Sequence, residues 1–460
     1  MPVTAENGIK SFSEGGQTLP IHQTMSADVL IRRTLGAVSI LFASALLLPI
    51  EVRAESYSLN GETSTYLRLA TTTDKKNSYL LNEYLRVSTA VTENNGSTTS
   101  LHFGGWGMID QNDINARGKT TDGSLQYGYL SYQGAKNNLL LSAGRQFITE
   151  GVATQRLDGL YARSDLAAGF GTAVYVGAPV STGMIQTRDD LLFGGRITQS
   201  NGRLYTVGVS ALKSFAQSSR YRDEAGADLW LQPAKQVDIT GNSSYNTITR
   251  DWMEHHYSVS YTPADEVKLS ADFSAINYRD YFFRVTTNAL VFNPLTNGIS
   301  PDEKVLTAGC SGSYTVLRNI TIAGDFKRYN YRQAHDANYF GGKVTFSPSD
   351  SFSAGVSVHR MEGGDIRLKY TEYRGYATGR LGSADLTLDV TDLNYDSTTG
   401  TNGIDHVITV MAGGTHGITE EFRLGVSADY SRNPLFNSEV RGLVKLTYLF
   451  DVKSPSGGRK

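Results

Sequence analysis

Residues 267–275, Val267-Lys268-Leu269-Ser270-Ala271-Asp272-Phe273-Ser274-Ala275, alternate apolar and polar side chains without a break. A period of two puts Val267, Leu269, Ala271, Phe273 and Ala275 on one face of a strand, with Lys268, Ser270, Asp272 and Ser274 on the other. One face avoids water and the other seeks it. The pattern recurs where Phe352, Ala354, Val356 and Val358 oppose Ser353, Gly355, Ser357 and His359. It recurs again where Gly442, Val444, Leu446, Tyr448 and Phe450 oppose Arg441, Leu443, Lys445 and Thr447.

Outward from these three segments, alternation fills the chain from Tyr57 onward, and no long stretch carries a helical apolar period. Short clusters of Gly, Pro, Asn and Asp punctuate it, among them ENNGS near 93, QSNGR near 199, TPADE near 262 and SPSDS near 347. Such clusters supply the backbone conformations of tight hairpins. Between them lie longer polar connections, at 110–123, 178–189, 215–224, 280–302 and 396–403. Short and long connections alternate, which predicts an antiparallel up-and-down sheet of about 22 strands (20–22), the first near 57–70 and the last near 438–449. The region from 147 to 169 is ambiguous in this parse. An even count brings both ends of the sheet to one side.

Composition closes off other classes. The 460 residues carry 47 Gly, 26 Tyr, 18 Phe, 11 Pro, one Cys and a net charge of -2. That is too little Pro or charge for a collagen-like or disordered chain, too few cysteines for a disulfide scaffold, and no basic excess to attract nucleic acid. The one apolar run suited to a helix lies between Leu35 and Ile50, after Arg32 and Arg33 and before Val52-Arg53-Ala54, a small-x-small cleavage pattern. Residues 1–54 are therefore expected to be an N-terminal extension with a cleavable signal peptide. Met25 is an alternative start to Met1, and a retained anchor helix is the alternative to cleavage. Residues 55–450 are then the sheet and 451–460 a periplasmic tail.

A soluble sandwich also alternates, but its strands run about 5 or 6 residues, whereas a tilted strand needs about 9 to 11 to cross a bilayer. The strands here are long. In hydrocarbon every backbone polar group needs a partner, and only closure leaves no edge. The expected fold is therefore an all-β transmembrane barrel in an outer membrane, apolar outside and polar within. Aromatics near strand ends (Tyr57, Tyr132, Phe147, Tyr161, Trp230, Trp252, Tyr261, Phe346, Phe352, Phe450) fit the girdles at its two interfaces. The charged residues expected to line the lumen are Glu62, Arg68, Arg86, Lys268, Asp272, Asp325, Lys327, Arg367, Lys369, Asp385 and Asp389. Strands start close to the expected cleavage site, which leaves no length for an N-terminal plug. A wide barrel without one is an open porin-type channel or a sleeve around a partner.

Two stretches carry resemblances. Gly442, Leu446, Tyr448 and Phe450 resemble the C-terminal insertion signal of bacterial outer-membrane proteins, although Asp451 to Lys460 follow where that signal ends the chain. Residues 144–180, with Gly144-Arg145-Gln146, Glu150-Gly151 and the run Arg156 to Tyr161, resemble outer-membrane channel proteins of metal-reducing deltaproteobacteria. Some of these are the barrel component of porin-cytochrome conduits. The resemblance implies a sheath that holds multihaem c-type cytochromes in its lumen and at both faces for electron transfer. This chain has no CxxCH, and its single Cys310 cannot attach a c-type haem through two thioethers, so any haem belongs to a partner. The sheath and a general or solute-specific porin stay open as alternatives.

Enzyme chemistry finds little purchase, a lipid- or peptide-hydrolysing barrel being the remaining alternative. In Asp251-Trp252-Met253-Glu254-His255-His256, adjacent histidines point to opposite faces of a strand and do not share a metal. His359, His406 and Ser357 have no spacing that demands a triad. Cys310 alternates with Leu306, Ala308, Gly312 and Tyr314 on the apolar face. No catalytic, metal or cofactor site is expected. The 280–302 connection, with Tyr281, Phe282, Phe283, Val291, Phe292 and Leu295, is unusually apolar and is expected to cover a partner, fold into the mouth or extend a hairpin.

Overall fold

The computed structural model describes residues 56–71, 77–110, 120–180, 190–216, 219–281, 302–365, 368–399, 404–433 and 436–453. The expected signal peptide, most of the 280–302 connection, Arg367 and residues 454–460 of the tail lie outside them.

Among the described residues are the 22 strands that the alternation predicts. In chain order they are β1 (Ser56–Thr71), β2 (Asn77–Thr92), β3 (Thr98–Asp110), β4 (Thr121–Gln133), β5 (Leu139–Glu150), β6 (Ala153–Asp165), β7 (Phe170–Val180), β8 (Leu191–Asn201), β9 (Tyr205–Ala216), β10 (Ser219–Ala234) and β11 (Val237–Asn246). The second half comprises β12 (Asp251–Ala264), β13 (Val267–Asn277), β14 (Lys304–Leu317), β15 (Ile320–Tyr331), β16 (Ala337–Ser349), β17 (Phe352–Gly363), β18 (Lys369–Leu381), β19 (Ala384–Thr399), β20 (Ile404–Gly417), β21 (Phe422–Asn433) and β22 (Phe436–Lys453). One helical turn, α1 (Tyr278–Tyr281), follows β13. No helix among the described residues is long and apolar enough to cross a membrane.

Each strand pairs antiparallel with its neighbours in sequence, and β1 closes on β22 from Ser58–Lys453 to Ala70–Arg441. The result is a closed barrel. Register carries the alternation of one strand onto the next: Phe273 lies beside Ala308, Ala271 beside Cys310 and Cys310 beside Phe326, so the apolar positions form a continuous outer belt. Leu160, Ile197, Val209, Val356 and Val426 are all more than half exposed on that belt. An exposed aliphatic belt on a closed sheet is the surface that hydrocarbon covers, and the fold is a membrane-spanning barrel of the outer-membrane type.

Strands run from 10 to 18 residues, most of them longer than the about 9 to 11 that a crossing needs. The excess corrects several expected connections. The stretch 215–224 is largely strand, since β9 reaches Ala216 and β10 begins at Ser219, and β19 takes up 396–399 of the expected 396–403 connection. Beyond the bilayer a hairpin has water on both faces, so its sequence does not alternate and looks like loop. The tail shortens likewise, because β22 continues to Lys453, opposite Ser58.

Candidate functional site

The ambiguous stretch at 147–169 holds the main departure from a plain cylinder. β5 and β6 meet in a two-residue turn, Gly151-Val152, flanked by the pairs Glu150–Ala153 and Thr149–Thr154. Gly151 has φ +59, which the first position of a primed turn requires. The tip leaves the wall and lies against the inner face of the strands that follow. Ile148, Ala153, Leu157, Tyr175, Leu192 and Leu212 form a cluster at 4% exposure or less, with Val152 and Tyr161 packed on it. Tyr175, Leu192 and Leu212 belong to the inward face, because Val174, Val176, Leu191, Phe193 and Val209 are exposed on the outward one.

Polar contacts tie the same tip down. Arg196 on β8 reaches Glu150 (Nη1 to Oε2 3.4 Å) and clasps Asp228 on β10 with Nε and Nη2. The Tyr161 hydroxyl donates to the other Glu150 oxygen at 2.7 Å. Val152 N–H donates to Ser210 Oγ at 3.1 Å, and Arg222, held bidentately by Glu224 at 2.7 Å, donates to Gln155 Oε1 at 2.8 Å. The apolar contact dominates. Each fully buried aliphatic side chain contributes about 1.5–3 kcal/mol, whereas paired, partly buried charges return little beyond their desolvation cost and mainly fix where the tip sits.

Between the tip and the wall of β9–β12 lies a cavity of about 460 Å³, with Ser210, Glu224, Asp228, Asn242, Glu254 and Tyr281 in its lining. Tyr281, in α1 beyond the strands, has its phenol pKa pushed up, first by burial and then by the Glu254 and Glu224 carboxylates, so it stays a neutral hydroxyl. No group of three or more His, Cys, Asp or Glu able to hold a metal occurs among the described residues.

The expected lumen residues fall as follows. Glu62 and Arg86 are register partners and bond each other, with Arg68 on the same face of β1. Lys268 and Asp272 oppose exposed Leu269 and Phe273, and Asp325 and Lys327 oppose exposed Ile322 and Phe326. Asp325 bonds His359 Nε2 at 2.9 Å, and Tyr339 stacks on that imidazole with centroids 5.1 Å apart. Asp389 accepts from Arg374 Nε at 3.1 Å and Asp385 from Arg380 at 2.7 Å, opposite exposed Leu386 and Leu388. Lys343 lies over the Tyr376 ring at 4.7 Å. These residues lie on strand faces opposite the exposed aliphatic ones, are spread around the sheet and form no single cluster.

Lys369 departs from the expectation. Its register partner is Glu362, and unbroken pairing from Phe352–Gly379 puts it on the face of Tyr373 and Ala377, the outer one. It sits at the loop end of β18, where polarity on the outer face costs little. Two expected girdle aromatics also turn inward. Tyr161 bonds Glu150, and Trp230 donates to Asp238 at 2.8 Å. His255 and His256 do face opposite ways, His255 bonding Ser243 on the outer side at 2.8 Å.

Arg196, Arg222, Glu224 and Asp228 did not stand out in the sequence, and Glu150 did so only within the resemblance of residues 144–180. A trace of the site was there in Leu191-Leu192-Phe193 and Ala211-Leu212, where an apolar residue occupies a position that alternation assigns to the water-facing side.

No protein-family model matches this chain, and no curated protein sequence does either. Solved structures give likenesses of architecture. OccK5 (OpdH) of Pseudomonas aeruginosa is 10% identical with a TM-score of 0.42, over 87% of this chain and 99% of that one. OccAB2 of Acinetobacter baumannii is 8% identical with a TM-score of 0.44, over 86% and 98%. A mutant of the P. aeruginosa ferric enterobactin receptor PfeA is 10% identical with a TM-score of 0.48, over 86% and 81%.

Proposed function

We propose that this chain is a non-enzymatic outer-membrane channel whose lumen is narrowed by the β5–β6 hairpin. The observation that carries this reading is the hairpin itself. A tip held by a buried apolar cluster and by Arg196 and Arg222 is a fixed constriction in an otherwise hydrophilic tube. Short turns face the periplasm in barrels of this kind, and the β5–β6 tip lies at the opposite ends of the strands from the short β2–β3, β4–β5 and β6–β7 turns, on the side of the long β1–β2 and β3–β4 connections, so it belongs to the outer mouth. Inward charges of both signs, among them Lys268, Asp272, Asp325, Lys327, Arg374 and Asp389, give a weak ion preference. Purified protein in a planar bilayer is expected to give steady single-channel currents in KCl. A bilayer that stays silent after insertion is verified would overturn the reading.

A second reading, the sheath of a porin-cytochrome conduit, draws support from the resemblance of residues 144–180. It also draws on an inward band of tyrosines, Tyr339, Tyr370 and Tyr376, suited to dock a protein surface. In this reading the partners are multihaem c-type cytochromes. Mild extraction is then expected to bring haem-stained chains down with this one, and deleting it to strip those chains from the outer membrane. A haem-free preparation with unchanged conductance leaves the plain channel.

A further inference from the structure

Where the hairpin leaves the wall, the wall loses its seam. Pairing between β4 and β5 runs only from Gln133–Leu140 to Gly128–Arg145, although β4 extends back to Thr121 and β5 on to Glu150. Gly144 marks the point of departure. Its φ is +125, and a Cβ there would fall 2.3 Å from the Gly128 carbonyl oxygen, so the bend is written into the residue type. Above it, two strand edges face each other without a ladder between them.

Both sides of this gap are lined. On the outer surface just below it, Leu130, Leu141, Leu160, Val174 and Val176 form an apolar groove of about 570 Å³. Inside is a cavity of about 330 Å³ lined by His102, Tyr129, Ser131, Gln146 and Glu150. Phe147 belongs to both surroundings: it has the outward parity of Leu141, is 59% exposed, and borders the inner cavity. Beside the gap, Arg145 clasps the Asp158 carboxylate at 2.7 Å on the outer face and donates to the Leu125 carbonyl at 3.1 Å. A charged pair facing outward belongs at the level of the headgroups, not the hydrocarbon centre, where charge costs about 2–4 kcal/mol.

We propose that the β4–β5 gap is a lateral portal through which an uncharged, single-chain amphiphile passes between the outer leaflet and the lumen. The groove takes the chain, and the hydroxyl and amide groups of Tyr129, Ser131 and Gln146 take the head. The head is uncharged because the inner cavity contains no Lys or Arg and presents Glu150, already paired with Arg196. The proposal rests on the barrel spanning a bilayer, and not on its conducting ions.

The test uses the full chain in phosphatidylcholine vesicles, with Cys310→Ala removing the native thiol and a fluorophore on Phe147→Cys or, separately, on Tyr129→Cys. A Leu130→Cys label on the outer wall reports correct insertion, since chain-brominated phospholipid must quench it. The portal predicts that the same phospholipid quenches the Phe147 label severalfold more than aqueous iodide does. It also predicts that a bromine-terminated long-chain alcohol quenches the Tyr129 label and is competed off by the unbrominated alcohol. Quenching at Tyr129 without quenching at Phe147 means entry through the aqueous mouth and overturns the proposal, as does iodide quenching alone at both sites. Conductance of the same preparations separates this result from the channel reading, because a conducting protein without lipid access loses only the portal.

Discussion

The β5–β10 sector and the β13–β19 sector are built from the same alternating strands, yet they solve opposite problems. In β13–β19 the inward face is polar almost throughout, and its charges are met by partners one or two strands away, as Arg374 on β18 meets Asp389 on β19 and His359 on β17 meets Asp325 on β15. That wall needs nothing above it. In β7–β9 the inward face carries Tyr175, Leu192 and Leu212, which would stand exposed in an aqueous lumen unless something covered them. The hairpin covers them. The difference teaches that an apolar residue out of phase on the water-facing side of a barrel calls for an inner layer, and that the inner layer is taken from the wall at the cost of a seam.

The comparison breaks most directly at Ile148. Ile148→Asp puts a carboxylate into the apolar cluster, a cost of several kcal/mol that the tip escapes by detaching. Single-channel conductance in a planar bilayer is expected to rise severalfold, the largest change foreseen. Unchanged conductance would mean that the hairpin is no constriction. Next comes Arg196→Ala, which strands Glu150 and Asp228 near each other without their cation. Loss of one partner costs about 3–5 kcal/mol in a fully buried pair and less in this partly exposed one, below what the apolar cluster supplies. The tip then loosens without leaving, so current records are expected to show flicker between two levels, partly restored by Arg196→Lys.

How much of this was legible follows from the same physics. The barrel and its strand number were, because each crossing must repeat the alternation, and hydrocarbon on one side enforces it at Leu269, Phe273, Val356 and Leu446. The extensions of β9 and β10 were not, since water on both sides removes the period. Nor was the hairpin: Ile148 and Leu157 are out of phase with outward Phe147 and Leu160, and only the three-dimensional neighbourhood of Leu192 and Leu212, far along the chain, says what they cover. Lys369 was misplaced because β18 alternates weakly, with Tyr370 and Tyr376 on one face and Tyr373 on the other, so its sequence does not say which face is the outer one.

A smaller effect tests the other sector. Lys343→Glu with Arg374→Glu reverses two inward charges on β16 and β18 and leaves the hairpin untouched. The reversal potential in a KCl gradient is expected to move toward cation preference while conductance stays near that of the parent, because a wide aqueous lumen screens charge within about 10 Å. A conductance change as large as that of Ile148→Asp would place the constriction here instead.

The smallest effect is a labelling difference at Cys310, and it bears on the faces of every strand. Cys310 is exposed and lies between Ala271 and Phe326 in register, on the apolar side of β14. In vesicles without detergent, a lipid-soluble maleimide is expected to add to it, while a charged, membrane-impermeant one leaves the mass of the intact chain unchanged until the protein is unfolded. Channel currents are expected to be indifferent to either treatment, since no lumen residue is touched. Rapid modification by the charged reagent in intact vesicles would put Cys310 in water. Because register ties Cys310 to Phe273 and Phe326, that single result would turn the inner and outer faces of the sheet around.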